Sequence, residues 1–202
     1  GAKTVVTPIS STSAIEMTGW FETVARTRIG SPYVVAGMAA ATAAPVVGFE
    51  ANGGFLTESD IALSGGSLSR LPTRDAILPM IAALVAAAEA KRPLSALVAD
   101  LPPRVMKADR LKKIAPADGA KLISALDTSR EARVALDPRL AAPVAVDHTD
   151  GLRLVLQNGD IVHFRQSGNA PELRCYVETD SVEATDALLG DMLAALNRHF
   201  AA

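Results

Sequence analysis

Residues 152–165 read LRLVLQNGDIVHFR, two runs rich in aliphatic side chains that flank the pair Asn158-Gly159. An Asn-Gly pair between such runs is a strong signal for a two-residue hairpin turn, because both positions tolerate positive φ angles. Two further candidate strands lie nearby in the chain, at 144–146 and 173–178. Four closely spaced strands of this kind predict an antiparallel sheet.

Helical patterns lie on both sides of this predicted sheet in the sequence. One helix is expected near 118–126. The last helix opens with Asp180 as its N-cap and Glu183 three residues later, the spacing of a capping box. Its apolar stripe consists of Leu189, Met192 or Leu193, Leu196 and Phe200.

The polar, basic stretch 104–113 follows Pro102-Pro103 and is interpreted as a linker into this part of the chain, with a hinge at 102–109. Residues 104–202 are therefore predicted to form a small α+β domain in which helices cover a four-stranded antiparallel sheet.

The first hundred residues show a different pattern, in which short apolar runs alternate with helix-like stretches. Strands are expected at 5–9 and 46–49, and helices at 33–41, 77–88 and 94–100. Ser10, Ser11, Thr12 and Ser13 can cap a helix that carries Ile15, Met17 and Trp20, and Thr73 is the expected N-cap of the helix over 77–88. This alternation is typical of an α/β domain, which we assign to residues 1–103 with a mixed sheet.

Composition excludes several classes of function. Twenty Lys and Arg residues against 22 Asp and Glu residues give a net charge of −2 without any long basic run, so no nucleic-acid partner is expected. A single cysteine rules out an internal disulfide framework. The most apolar stretch, 76–90, is too short and interrupted to span a bilayer, so no membrane partner is expected. We expect a cytoplasmic protein.

The segment 165–174 links two predicted strands and carries polar groups suited to a phosphate. A phosphate monoester needs several converging donors and positive charge. The segment offers two guanidinium groups, a hydroxyl, an amide and a glycine that lets the backbone approach closely. A polar loop with two surface arginines is the alternative, and the residues alone leave both open. The candidate phosphate ligands are Arg165, Ser167, Gly168, Asn169 and Arg174.

The segment 48–55, GFEANGGF, follows a predicted buried strand. Glu50 can accept hydrogen bonds from two neighbouring hydroxyl groups, Asn52 can donate and accept, and Gly53 with Gly54 leaves room for a ligand. This chemistry suits a sugar ring, with Glu50, Asn52 and Gly53 as candidate residues. A plain Asn-Gly turn with a solvated glutamate is the alternative, which spacing alone favours.

Three stretches resemble motifs of the α-D-phosphohexomutases, the phosphomannomutase and phosphoglucomutase family. Residues 165–178 are similar to its phosphate-binding pattern Arg-x-Ser-Gly-(Thr/Asn)-x-Pro-x-x-Arg-x-Tyr-x-Glu. Residues 48–54 resemble its sugar-specificity loop, although the common form there has Ser-Gly-His in place of Asn-Gly-Gly. Residues 26–33, RTRIGSPY, resemble its Arg-Thr-x-Val-Gly-x-x-Tyr stretch, with Pro32 where many members carry a basic residue. The similarity extends over essentially the whole chain.

The resemblance implies that the chain corresponds to the third and fourth of four domains. Residues 1–103 are then the sugar-recognition domain and residues 104–202 the phosphate-binding domain. The family's phosphoserine loop, Ser-His-Asn-Pro, and its magnesium loop, Asp-x-Asp-x-Asp-Arg, do not occur in the 202 residues. We therefore assign no catalytic residue and no metal ligand to this chain, and we expect it to be inactive alone.

The resemblance also implies a reaction and its partners. A parent of phosphomannomutase type interconverts hexose 6-phosphate and hexose 1-phosphate through an upstream phosphoserine, with magnesium as cofactor and hexose 1,6-bisphosphate as intermediate and activator. Expected partners are mannose or glucose 1- and 6-phosphates and the upstream catalytic domains of the same polypeptide. Phosphoglucomutase, phosphoglucosamine mutase and a stand-alone, non-catalytic phosphosugar-binding module are the alternatives.

The other reactive side chains are not assigned to the site, and the three histidines are interpreted as structural or solvent-facing. His148, His163 and His199 are far apart and lack the spacing of metal ligands. Cys175 occupies an inward-facing strand position and is expected to be an inert core thiol.

Overall fold

The computed structural model describes residues 1–201, which form two compact units, one of them Gly1–Pro103 and the other beginning at Arg104. The elements of the first unit are β1 (Thr4–Pro8), α1 (Ala14–Met17), β2 (Thr23–Thr27), α2 (Ser31–Ala40), β3 (Val46–Phe49), β4 (Phe55–Thr57), β5 (Ile61–Leu63), β6 (Gly66–Leu68), β7 (Leu71–Asp75), α3 (Ile77–Ala90) and α4 (Leu94–Ala99). One sheet has the order β2-β1-β3-β4-β7, and β5 pairs with β6 separately. β1 is parallel to β2 and β3, whereas β4 is antiparallel to β3 and β7. The predicted mixed sheet is confirmed.

A small aliphatic core holds β1 and β3 side by side. Val6 and Val46 are buried in these strands, and α2 packs Val34 and Met38 against them. Gly48 permits this packing, because an added Cβ would lie 2.6 Å from Met38 Sδ. Since the two strands are parallel, the loops that follow them emerge at the same edge of the sheet.

The start of α3 and the end of α1 differ from the prediction. Thr73 lies within β7, and the N-cap of α3 is Ala76. The preceding residue, Asp75, accepts hydrogen bonds through its Oδ1 from the amides of Ile77 and Leu78 at 2.7 and 3.1 Å. The reason is that β7 continues past the predicted cap. α1 ends at Met17, so Trp20 lies beyond it.

The second unit consists of β8 (Val105–Lys112), α5 (Pro116–Thr128), α6 (Arg130–Leu136), a 3-10 turn (Pro138–Leu140), β9 (Ala145–Asp147), β10 (Leu152–Val155), β11 (Ile161–Gln166), β12 (Glu172–Thr179) and α7 (Val182–Ala201). Its sheet has the order β8-β12-β11-β10-β9, and every neighbouring pair is antiparallel. The antiparallel sheet is confirmed, but the expected number of four strands is wrong because the sheet has five.

The fifth strand is β8, which occupies most of the stretch that we interpreted as a linker and hinge. It pairs with β12 along its whole length, from Val105 opposite Thr179 to Lys112 opposite Glu172. An edge strand pairs on one side only, so its composition can stay polar. Leu111 is the only fully buried residue of β8, which is why the hydrophobic pattern of the strand is weak.

One face of this sheet is covered by helices. Its buried side chains pack with those of α5, α6 and α7 in one cluster, which includes Phe164, Leu173, Cys175, Met192 and Leu196. α7 begins at Val182, so the predicted N-cap at Asp180 is wrong. Ser181 Oγ accepts a hydrogen bond from the amide of Ala184 at 3.3 Å instead. Within residues 1–201, none of the helices combines the length and the apolar character needed to cross a membrane.

The hairpin between β10 and β11 forms where the sequence predicts it. The turn is longer than two residues, since the amide of Leu156 still donates to the carbonyl of Asp160 at 2.8 Å. Gly159 has a φ of 85°, whereas Asn158 does not have a positive φ. A glycine in the left-handed region at the end of such a loop is the usual form of a longer hairpin turn.

Candidate functional site

Arg165 and Arg174 face each other at the end of the β11–β12 hairpin. They are direct partners in the strand register. Because Phe164, Leu173 and Cys175 point into the helix-covered core, the two arginines lie on the opposite face of the sheet. The connecting loop contains Ser167, Gly168 and Asn169, so the hairpin brings together all five residues predicted to bind a phosphate.

Arg165 is held from one side by a carboxylate. Its Nε donates to Asp150 Oδ2 at 2.7 Å, and the two side chains are 16% and 9% exposed. This contact leaves both terminal nitrogens of the guanidinium group without a hydrogen-bond partner among residues 1–201. Asp150 is itself anchored, because His163 Nε2 donates to its backbone oxygen at 2.6 Å.

His163 is buried and stacks on Tyr176, with ring centroids 5.1 Å apart. Burial lowers the pKa of His163, so the ring is neutral at neutral pH and carries its proton on Nε2. The structural interpretation of this histidine from the sequence agrees with the arrangement.

A third arginine lies beside the opposed pair Arg165 and Arg174, on the neighbouring strand. Arg110 on β8 lies opposite Arg174 in the register, and its Nε is 3.1 Å from Glu172 Oε1. Glu172 Oε2 is 3.8 Å from Arg174 Nη2, so one carboxylate is shared by two guanidinium groups. Arg174 Nε is buried and has no hydrogen-bond partner within residues 1–201. Like charges on directly opposed strand positions repel, which favours an anion at this end of the sheet.

The loop itself is ordered by its own hydrogen bonds. The amide of Ser167 donates to the carbonyl of Glu172 at 2.9 Å, and Ser167 Oγ donates to Asn169 Oδ1 at 3.0 Å. Gly168 is exposed, and an added Cβ would meet nothing within 4 Å. Packing inside the protein therefore does not require a glycine here, which leaves room beside the loop for a ligand.

In the first unit, the sugar-type loop forms a tight turn after β3. Glu50 and Gly54 are linked by a backbone hydrogen bond of 2.8 Å, and Gly53 has a φ of 89°. Asn52 Oδ1 accepts from the amide of Gly54 at 3.0 Å, which leaves its amide nitrogen for other partners. The Asn-Gly turn of the alternative interpretation is present, but Glu50 is only 8% exposed and is not a solvated side chain. Its Oε2 has no hydrogen-bond partner in the described part of the chain.

Arg26, from the third resembling stretch, has a structural role. Its guanidinium group donates to both carboxylate oxygens of Glu16 at 2.7 Å. It also donates to the carbonyls of Pro8, Ser11 and Thr12 at 2.8 to 3.1 Å. These five contacts use the donors of the group and fasten the loop after β1.

Burial also determines the behaviour of the single cysteine. Cys175 is fully buried, and burial raises the pKa of its thiol to about 12. The thiolate is the reactive form, so we expect no labelling of the folded protein by iodoacetamide at pH 8 and complete labelling in denaturant. Mass spectrometry of the whole chain measures both. Rapid labelling of the folded protein would contradict the assignment of Cys175 to the core.

Comparison with known proteins matches both units to one family. Residues 1–105 match the phosphoglucomutase/phosphomannomutase alpha/beta/alpha domain III, and residues 103–195 match the phosphoglucomutase/phosphomannomutase C-terminal domain. The chain is 47% identical over 200 residues to a phosphomannomutase of Sinorhizobium fredii, with 97% of this chain and 42% of the relative covered. It is 42% identical over 185 residues to a phosphomannomutase of Salmonella muenchen, with 90% and 38% covered. The chain thus spans about two fifths of the length of these relatives.

Solved structures show the same fold at low sequence identity. A phosphoglucomutase/phosphomannomutase family protein of Burkholderia thailandensis is 20% identical with a TM-score of 0.66, covering 98% of this chain and 38% of its own. The N-acetylphosphoglucosamine mutase of Aspergillus fumigatus, in complex with GlcNAc-6P and magnesium, is 16% identical with a TM-score of 0.61, covering 96% and 39%. Since matched domain models cover almost the entire sequence, the chain belongs to the phosphoglucomutase/phosphomannomutase family and corresponds to its domain III and C-terminal domain.

Proposed function

We propose that this chain supplies the sugar- and phosphate-binding part of a phosphomannomutase, an isomerase that interconverts hexose 6-phosphate and hexose 1-phosphate. Two relatives named phosphomannomutase, at 47% and 42% identity, support mannose as the sugar. The proposal gives each unit one task. The first recognises the sugar and the second binds a phosphate.

The opposed pair Arg165 and Arg174 carries the proposal. A guanidinium group presents its nitrogens as a fork that matches two phosphate oxygens. Asp150 occupies only Nε of Arg165, so the terminal nitrogens are presented to a ligand in a fixed orientation. The backbone at Gly168 and the side chain of Asn169 supply the remaining contacts to the phosphate, and the Ser167 hydroxyl joins them by turning its hydrogen from Asn169 Oδ1 to the ligand.

Glu50, Asn52 and Gly53 recognise the sugar ring. Glu50 Oε2, which has no hydrogen-bond partner among residues 1–201, accepts from a ring hydroxyl, and the amide nitrogen of Asn52 donates to another. Gly53 adopts a positive φ without a side chain, so the backbone of the turn can approach the ring closely. Sugar hydroxyls both donate and accept, which matches an acceptor and a donor placed two residues apart.

The chemical step uses a phosphoserine outside these residues. Its phosphoryl group passes to the free hydroxyl of the hexose phosphate, so the serine–phosphorus bond breaks as the new ester bond forms. The resulting hexose 1,6-bisphosphate reorients and returns its other phosphoryl group to the serine. By binding the phosphate that is not transferred, Arg165 and Arg174 fix the position of the reacting oxygen, which lowers the entropic cost of the step.

Magnesium is the cation expected with this chemistry, as in the mutase structure from Aspergillus fumigatus. Hard cations need clustered oxygen ligands. Among residues 1–201, no three His, Cys, Asp or Glu side chains form a group that could hold a metal ion. The described residues therefore do not fit a magnesium site.

Calorimetric titration of the chain tests the proposal. Mannose 1-phosphate and mannose 6-phosphate are expected to bind at least about tenfold more tightly than mannose, because charged hydrogen bonds to the phosphate add at least about 1.5 kcal/mol. Phosphorus NMR of the chain with mannose 1-phosphate and the bisphosphate is expected to show no interconversion. Equal affinity for mannose and its phosphates would overturn the phosphate assignment, and turnover by the chain alone would overturn the division of tasks.

A further inference from the structure

We propose that Arg74 is a further sugar-binding residue, which forms with Glu50 a charged pair that is closed by one hydroxyl of the hexose phosphate. The inference rests on the proposed function of Glu50 and adds a residue to it. No motif in the sequence points to Arg74, since it lies 24 positions after Glu50 on another strand.

The fold brings Arg74 against the sugar-type loop. β7 runs antiparallel to β4 with Asp75 opposite Phe55, so Arg74 and Gly54 lie on the same face of the strand pair, diagonally across from each other. A Cβ added to Gly54 would lie 2.7 Å from Arg74 Cδ and 3.0 Å from its Cγ. The stem of Arg74 therefore rests in the space that any other residue at position 54 would fill.

The ion pair between Arg74 and Glu50 has no direct hydrogen bond. Arg74 Nη1 lies 3.5 Å from Glu50 Oε2, which is longer than a normal N–H···O hydrogen bond. Glu50 Oε2 is buried and lacks a hydrogen-bond partner among the described residues. A buried acceptor without a partner is costly, so an added donor at this point is stabilising.

One hydroxyl group can contact both the carboxylate and the guanidinium group of this pair. It can donate its hydrogen to Glu50 Oε2 and accept from Arg74 Nη1 through a lone pair. The side chain of Arg74 is 53% exposed, so a ligand can reach the guanidinium group. Because the pair needs one hydroxyl at a fixed place, it distinguishes hexoses that differ in the orientation of a single hydroxyl.

A second pair nearby shows what a closed arrangement looks like. The side chain of Arg70 is also 53% exposed. Its Nη2 and Nε donate to Glu58 Oε1 at 2.8 and 3.2 Å, and its backbone amide donates to Asp60. Arg70 therefore has the same exposure and the same type of partner as Arg74, and Glu58 Oε2 also lacks a hydrogen-bond partner among the described residues. The guanidinium group of Arg70, however, already donates to its carboxylate, which makes it a matched control.

The test compares Arg74→Met with Arg70→Met by calorimetric titration. Methionine keeps an unbranched apolar stem against Gly54 and removes the guanidinium group. We expect Arg74→Met to bind mannose 1-phosphate about tenfold more weakly, whereas inorganic phosphate binds as it does to the unchanged chain. We expect Arg70→Met to bind both as the unchanged chain does, and Arg74→Lys to recover part of the loss.

The outcomes separate this inference from the proposed function. A loss in Glu50→Gln with none in Arg74→Met would overturn the role of Arg74 and leave the sugar loop in place. No loss in either variant would overturn the proposed sugar site as well. An equal loss for mannose 1-phosphate and inorganic phosphate in Arg74→Met would also contradict the inference, because it would assign Arg74 to general attraction of anions. Thermal unfolding curves that coincide with that of the unchanged chain show that the variants are folded.

Discussion

Arg165→Ala is expected to weaken the binding of mannose 1-phosphate by about ten- to a hundredfold, which corresponds to the loss of charged hydrogen bonds worth about 1.5 to 3 kcal/mol. The variant removes the terminal nitrogens that face the ligand. It also leaves the Asp150 carboxylate, 9% exposed, without the Nε–H that it accepts from, close to where the phosphate binds. Arg174→Ala is expected to act in the same direction, since its Nε is a buried donor without an acceptor. Titration at one fixed ionic strength measures both, because salt screens the attraction.

Two further variants show whether charge or geometry is responsible. Arg165→Lys keeps the positive charge but has neither the planar fork nor the Nε contact with Asp150, so an intermediate affinity is expected. Arg130→Ala removes an exposed arginine from the same unit and is expected to bind like the unchanged chain. Unchanged affinity in both Arg165→Ala and Arg174→Ala would remove the phosphate assignment.

Gly151→Ala is expected to destabilise the second unit by about 4 kcal/mol, the sum of backbone strain and forced overpacking. Gly151 has a φ of 93°, and an added Cβ would lie 2.3 Å from the carbonyl oxygen of Phe164 and 3.1 Å from Arg165 Cα. Both contacts are with backbone, so relief requires displacement of β10 from β11. The rate of Cys175 labelling at increasing urea concentration measures the loss, because this thiol becomes reactive when the unit unfolds.

Gly159→Ala is the matched control at the opposite end of the same strand pair. Gly159 also has a positive φ, 85°, but an added Cβ would meet nothing within 4 Å. Only the conformational cost remains, which is about 1 to 2 kcal/mol. Equal destabilisation in the two variants would show that the close contact at Gly151 is not the cause.

The parts of the fold that the sequence predicted are those governed by local signals. The Asn-Gly pair located the hairpin of β10 and β11, and the pattern of β12 gave the faces of Arg174 and Cys175. β8 was missed because an edge strand needs no apolar run. β4 was missed because its three residues are too few to show an alternation, and β7 because most of its residues are exposed.

The candidate site likewise contains residues that a local sequence pattern locates and contacts that depend on how the strands pair. Residues within one loop, such as Arg165 and Ser167, were found together because a short stretch carries them. The contacts of Arg165 with Asp150 and of Arg74 with Gly54 depend on strand register, which no local pattern reports. The burial of Glu50 follows from the neighbouring strands, so spacing alone favoured a solvated side chain that the structure does not have.

The polar character of β8 has a consequence for the behaviour of the protein at high concentration. The end strands of a sheet expose unpaired backbone groups, onto which the same strand of another molecule can add in a growing cross-β aggregate. β8 carries Lys107, Asp109, Arg110 and Lys112 along this edge, and at the other end β9 has only three residues. A molecule approaching either end meets a charged strand or a very short one. The residues that conceal β8 in the sequence thus protect the second unit against self-association through its sheet edges.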